Sequence, residues 1–286
     1  MKDAYIVQSV RTPGCKQKRG LFNQTRPEEL ISFIMKTAVE KTPNLTPDHL
    51  DDVMIGCAFP EAEQGLNIGR VAVKMAGFPD RVSGATVNRF CASGLEAIAL
   101  ASMRVQMGWS DITMGAGLES MTYVPMGGNN PRPHPEFSRT CPEMYVSMGI
   151  TAENVAERYN ISREDQDAFA AASQTKAARA RDNGLFTEII PTPAIKYVKQ
   201  ADGTYKKETF IVQHDDGIRE TTVEGLAKLR TVFKANGSVT AGNSSQTTDG
   251  AAATLIASKE KCEELGLTPL ARLVSYATIG CRSDEM

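Results

Sequence analysis

Short apolar runs alternate with longer amphipathic ones from the start of the chain. Residues 5–10 are apolar and β-branched and end at the turn Arg11-Thr12-Pro13-Gly14, which predicts a buried strand. A helix should follow, capped by Thr25, with Pro27 in its first turn and Glu28 and Glu29 at its positive end. Leu30, Ile31, Phe33, Ile34 and Val39 supply its apolar face. Residues 50–57 end in a second buried strand, and 65–77 read as a helix rich in small residues. Residues 83–87 form a third strand, 92–107 a third helix and 112–116 a fourth strand. Alternation at these intervals predicts an α/β domain with a mostly parallel sheet covered on both faces.

The pattern changes at Met121. Residues 121–142 hold five prolines among many polar residues and read as irregular chain. Two helices follow, at 151–159 and 162–182, the second opened by Ser162 with Asp165 and stopped by Asn183-Gly184. Residues 195–212 alternate around Asp202-Gly203, a hairpin signal. A polar loop at 239–250 then leads into a strand at 251–257, and Ser258 caps a short helix that ends at Gly266. Residues 270–280 read as a fresh strand. The chain therefore divides into an N-terminal α/β domain at 1–120, an inserted loop lobe at 121–239, a completion of the first domain at 240–266, and the opening of another at 267–286.

One stretch carries chemistry. In 87–108, V-N-R-F-C-A-S-G-L-E-A-I-A-L-A-S-M-R-V-Q-M-G, a strand hands over to a helix that is apolar almost all round and so reads as buried on every side. Cys91 stands at the handover, where the unpaired N–H groups and positive end of a helix stabilise a thiolate. Amides of the same turn can donate to an oxyanion on an attached acyl group. An isolated cysteine is more often a small buried hydrophobe; this placement makes Cys91 a candidate nucleophile. By contrast, Gly115-Ala116-Gly117-Leu118-Glu119-Ser120 lacks the third glycine and the following acidic residue of a dinucleotide loop, and reads as a packing turn.

Composition narrows the classes. Lys and Arg total 32 against 34 Asp and Glu, a net charge of -2, which gives no support to nucleic-acid or membrane-surface binding. No apolar run reaches the length of a membrane span, and no leader is visible at the N-terminus. The six cysteines are scattered without a C-x-x-C or a zinc-ligand spacing, so no metal is expected. Free thiols and a cytoplasmic setting are the simplest expectation, with the five cysteines besides Cys91 buried. His49, His134 and His214 read as surface or loop histidines.

Four segments in order resemble the thiolase family, the acyl-CoA C-acyltransferases. They are A-Y-I-V-Q-S-V-R-T-P-G at 4–14, V-N-R-F-C-A-S-G at 87–94, M-G-I-T-A-E-N-V-A at 148–156, and T-A-G-N-S-S-Q-T-T-D-G-A-A-A at 240–253. The family fold stacks two similar α/β halves into five layers, αβαβα, with a loop domain inserted in the first half. The resemblance implies that this chain carries the N-terminal half and the inserted loop domain, with the C-terminal half largely absent. It also implies that Cys91 is the acyl-carrying nucleophile of a 3-ketoacyl-CoA thiolase, with coenzyme A a substrate and no separate cofactor. Met148 matches a position lining the acyl and pantetheine channel, Ser245 the loop serine near the pantetheine, and Arg219 the nucleotide-contacting arginine. Core packing, a turn hydroxyl and a solvated surface arginine are the respective plain alternatives. Ser147 stands where biosynthetic members carry histidine, which favours a degradative, β-oxidation type.

The family's G-H-P histidine, C-x-G cysteine and N-E-A-F asparagine do not occur in the 286 residues. These 286 residues alone are therefore expected to be poorly active or inactive, because mutually dependent catalytic groups lose most of their effect when one is missing. A homodimer or homotetramer is the family's usual state, and CoA and acyl-CoA thioesters are the implied partners. Two other readings stay open: a non-catalytic CoA- or acyl-binding or oligomerisation module of the same fold, and a related 3-ketoacyl synthase.

Overall fold

The computed structural model describes residues 2–285. In chain order the elements begin with β1 (Ala4–Arg11), β2 (Cys15–Lys16), α1 (Pro27–Glu40), β3 (Asp52–Gly56), α2 (Ile68–Met75), β4 (Ser83–Val87), α3 (Ser93–Gln106) and β5 (Ile112–Ser120). They continue with α4 (Pro135–Thr140), α5 (Met148–Arg158), α6 (Arg163–Asp182), β6 (Thr192–Lys199), β7 (Tyr205–Val212), α7 (Val223–Ala227), β8 (Thr248–Ser258), α8 (Lys259–Leu265) and β9 (Ala271–Arg272). Contacts divide the chain into two compact units. The first comprises Met1–Asn129, Glu188–Gly217 and Thr247–Tyr276; the second comprises Asn130–Thr187, Ile218–Gln246 and Ala277–Met286.

The first unit is built on a seven-stranded sheet ordered β4-β3-β5-β8-β1-β9, with β2 also paired to β8. The sheet is mixed, where the sequence suggested a mostly parallel one. β3 runs parallel to β4 and β5, but β8 lies antiparallel between β5 and β1. The reason is connectivity: β8 enters from a distant part of the chain and is not the end of a βαβ crossover. Alternate residues of β5 face opposite ways. Ile112, Met114, Ala116 and Leu118 join the larger apolar cluster with Leu30, Ile31 and Ile34 of α1 and Ala72 and Val73 of α2. On the other face Met54 and Ile256 pack with Ala97, Ala101 and Val105 of α3.

That second face is made of small residues, which corrects the reading of 115–120 as a turn. These residues lie inside β5, and a Cβ on Gly115 would stand 2.6 Å from the Cα of Ile98. The Thr113 hydroxyl donates to the Ala101 carbonyl at 3.0 Å, so helix and strand approach closely. Nor is α3 buried on every side. Leu95 is 59% and Met107, its C-cap, 54% exposed, because only the stripe of small residues faces the sheet.

Other local differences have simple causes. Arg26, not Thr25, caps α1; the Thr25 hydroxyl instead accepts from the Ile195 amide at 2.9 Å. The expected strand at 270–280 shortens to β9, which pairs with β1 and is flanked by the Leu270 and Leu273 amides that donate to Ile6 and Ala4. Within the proline-rich stretch, His134 accepts from the Phe137 amide and starts the short α4. Of the cysteines besides Cys91, Cys15, Cys57 and Cys262 are buried, but Cys281 is exposed and Cys141 partly so. The Asp202-Gly203 hairpin forms as read, with β6 and β7 in antiparallel register, and belongs to the first unit.

The second unit is mainly helical. Ser162 caps α6 by accepting from the Asp165 amide, and α5 begins at Met148. Among the described residues no helix is long and apolar enough to cross a membrane.

Candidate active site

β3 and β5 both end in glycine-containing segments, and the chain before α3 rests on them. A Cβ on Gly56 would lie 2.3 Å from the backbone of Ser93, and one on Gly117 would touch Gly94. The start of α3 thus sits directly over the carboxyl ends of parallel strands, as the sequence reading anticipated for Cys91. A cleft of about 460 Å³ in the first unit opens there, lined by Cys91, Phe90, Ser93, Gly94, Phe59, Met126 and the edges of β5 and β8. Its wall is chiefly apolar, with Arg11 and Glu119 the charged residues on it. Space is open beside Gly94, where a Cβ would meet nothing within 4 Å.

Cys91 is exposed in this cleft. The turn that carries it contains Phe90 at φ +45°, a conformation that a bulky side chain rarely adopts. Such backbone strain concentrates at functional sites and persists only where the surroundings impose it. The amides of Ala92 and Ser93 donate to the carbonyls of Arg89 and Phe90, and that of Glu96 to Ala92. Among the described residues the amides of Cys91 and Gly94 make no backbone hydrogen bond, so the first turn keeps donors for an oxyanion.

Behind the cleft wall, and reaching it through Glu119, lies a polar cluster that sequence reasoning missed. Glu119 accepts from the Ala58 amide at 2.7 Å and from Gln64 Nε2 at 2.7 Å. Burial pushes its carboxyl above the usual range, against the pull of those two donors. Gln64 is fully buried, donates also to the Phe59 carbonyl at 3.0 Å, and accepts from the Ser120 amide. Cys57 beside them is pushed up to about 12 by burial and by the Glu119 charge, which marks it as an inert thiol. Asn88 was the legible clue to the turn: its side chain accepts from the Phe90 amide two residues on, the habit of Asn in turns.

The other candidates lie in the second unit. Met148 opens α5 and is 40% exposed. Arg219 lines a cavity of about 330 Å³ with Gln174, Thr175, Arg181 and Thr221, and its guanidinium donates to the Ala241 carbonyl at 3.4 Å. Ser245 is exposed and donates to the Gln246 carbonyl at 3.1 Å. Neither Met148 nor Ser245 lines the Arg219 cavity. Among the described residues no histidine lines the Cys91 cleft, and no group of His, Cys, Asp and Glu is arranged to hold a metal ion.

Residues 4–260 match the family described as thiolase, N-terminal domain. The chain belongs to the thiolase family. The 3-ketoacyl-CoA thiolase of Bacillus subtilis is 43% identical over 288 residues, covering all of this chain and 73% of that protein. The human peroxisomal 3-ketoacyl-CoA thiolase is 46% identical over 290 residues, covering 99% of this chain and 66% of that protein. Enzymes so named are acyltransferases. The fold also matches the crystal structure of the Bacillus anthracis acetyl-CoA acetyltransferase, with a TM-score of 0.86 and 33% identity over the whole chain and 73% of that structure. The thiolase fold expected from the sequence is thus the fold of this chain.

Proposed function

We propose that this thiolase chain carries the nucleophile of an acyl-CoA C-acyltransferase that cleaves 3-ketoacyl-CoA. The observation that carries the reading is Cys91, exposed in an apolar cleft at the end of a strained strand-to-helix turn. Its thiolate attacks the 3-keto carbon. The bond between C2 and C3 breaks, its electron pair passes to the departing acetyl-CoA enolate, and that enolate takes up a proton. The shortened acyl group stays on Sγ as a thioester, and the thiol of a second CoA displaces it with return of the proton. The amides of Cys91 and Gly94 are the groups offered to the oxyanion formed on the Cys91-bound carbonyl. Met148, Arg219 and Ser245 are the proposed CoA contacts, and no cofactor beyond the CoA substrate is invoked. Ser147, at the N-cap of α5, stands where the resemblance puts histidine in biosynthetic members, which supports the degradative direction and so β-oxidation.

The cleft lacks a histidine among the described residues, so these 286 residues alone should acylate slowly and turn over poorly. The same feature favours the second reading, a CoA- or acyl-binding module without chemistry. Exposed Leu95, Met103 and Met107 along and just beyond α3 support self-association as a homodimer or homotetramer. Six free cysteines support a reducing, cytoplasmic setting.

Mass spectrometry of the chain incubated with a short 3-ketoacyl-CoA tests the reading. An acyl adduct on the Cys91 peptide, absent from Cys91→Ala, is the expected result. Acylation that persists undiminished in Cys91→Ala overturns it, and CoA binding without any adduct favours the module.

A further inference from the structure

Residues 88–92 are all exposed, so packing does not hold the turn that presents Cys91. Two side chains do. Ser93 is buried; its Oγ accepts from the Arg89 amide at 2.8 Å and donates to the Phe90 carbonyl at 2.6 Å. Asn88 acts from the other side: Oδ1 accepts from the Phe90 amide at 2.8 Å, and Nδ2 donates to the Ala58 carbonyl at 2.9 Å. Ala58 is in turn anchored by its own N–H, in the preceding peptide, which donates to Glu119 at 2.7 Å. Next to it the Phe59 ring lies 5.9 Å from that of Phe90.

We propose that Asn88 is a positioning residue, which ties the Phe90 amide to the Ala58 peptide and so holds Cys91 where an acyl donor can reach it. The proposal rests on the reading of Cys91 as the acyl-carrying nucleophile for its catalytic half only. Phe90 at φ +45° relaxes toward ordinary backbone once its amide loses the Asn88 acceptor, and the cysteine that follows then swings with it. Ser93 alone cannot prevent this, because it grips the Arg89 amide and the Phe90 carbonyl and leaves the Phe90 amide to Asn88.

The test uses the full 286-residue chain with Asn88→Ala and Asn88→Ser. Hydrogen–deuterium exchange of the peptide containing Phe90 is expected to rise about ten-fold in Asn88→Ala, the equilibrium share of one hydrogen bond. Ser, whose hydroxyl also accepts from an amide two residues on, should restore most of the protection. Single-turnover acylation of Cys91 by acetyl-CoA should fall by about ten-fold or more in Asn88→Ala. Alkylation of Cys91 by iodoacetamide, a small reagent with little demand on geometry, should change much less, with exposed Cys281 as the internal reference. Unchanged exchange in Asn88→Ala overturns the brace, whatever the acylation shows. Equal losses of acylation and alkylation, or a rise in exchange across the whole first unit, overturn the positioning role in favour of a merely structural one. Wild-type protein that exchanges as expected but never acylates overturns the nucleophile reading and leaves the brace standing.

Discussion

The two units are held together by different physics. Every residue of both apolar clusters comes from the first unit, where sheet faces and helix stripes bury aliphatic side chains against each other. The second unit relies on buried carboxylates that reach backbone far along the chain. Glu153, 4% exposed, accepts from the Val239 amide at 2.8 Å and from the Ser238 amide and hydroxyl. Asp167, 2% exposed, pairs with Arg163 at 2.7 Å and accepts from Asn243 at 3.0 Å. Arg163 in turn donates to the Leu226 carbonyl. A fold made by area tolerates the loss of any one contact in proportion to that area. A fold made by a few desolvated hydrogen bonds fails when one partner goes, because the other is left buried and unpaired.

Local stability, read as hydrogen exchange under increasing denaturant, can break this contrast. The largest effect is expected from Phe78→Ala, which opens a cavity in the larger cluster and should destabilise the first unit by about 3–5 kcal/mol. Next comes Glu153→Ala in the second unit. It strands the Ser238 and Val239 amides and should cost about 2–4 kcal/mol there, with little change in exchange of β5 or β8. If Glu153→Ala proves no worse than an exposed substitution, the second unit has another source of cohesion and the contrast fails. Glu119→Ala is the polar exception inside the apolar unit. Loss of the acceptor for Ala58 and Gln64 should cost about 1–3 kcal/mol and show as faster exchange at 57–64.

The smallest effect is pH-dependent. Asp215 is lowered from its ordinary 3.8, since the Arg11 guanidinium at 2.7 Å and the Gly14 amide more than offset the opposing effect of burial. A carboxyl held below its unfolded value contributes stability that is present above 3.8 and lost as pH falls through the folded value. Asp215→Asn should therefore lower stability by about 1 kcal/mol at neutral pH and flatten the acid limb of the first unit's unfolding curve. An unaltered acid limb would place that pH dependence on other carboxylates.

The same contrast explains what could be read in advance. Period-two and helical patterning located β1, β3, β4, α1 and the hairpin β6–β7, because a buried face is written locally in the chain. It failed for 115–120, where glycines that admit α3 at close range look like a turn when the helix is out of view. It failed again for α3, whose Leu95 and Met103 look like core but face outward. The place of Cys91, between β4 and α3, was legible from the strand–helix handover. The Glu119–Gln64 cluster behind the cleft wall was not, since its partners are 55 residues apart and no spacing rule links them. The strain at Phe90 was equally invisible, because nothing about a phenylalanine announces a positive φ.

The position of β8 has a consequence for synthesis. It runs down the middle of the sheet, bonded to β5 on one side and β1 on the other. Until it leaves the ribosome, β4, β3 and β5 form one fragment with β5 as a bare edge open to pairing with other chains, and β1 waits for β8 and β9, its partners in the sheet. The sheet closes late, in a step that joins residues more than two hundred positions apart, as Tyr5 with Ala257. The nascent chain must be kept from aggregating through that interval, so this protein's hunger for chaperones should end only when the strand at 248–258 emerges.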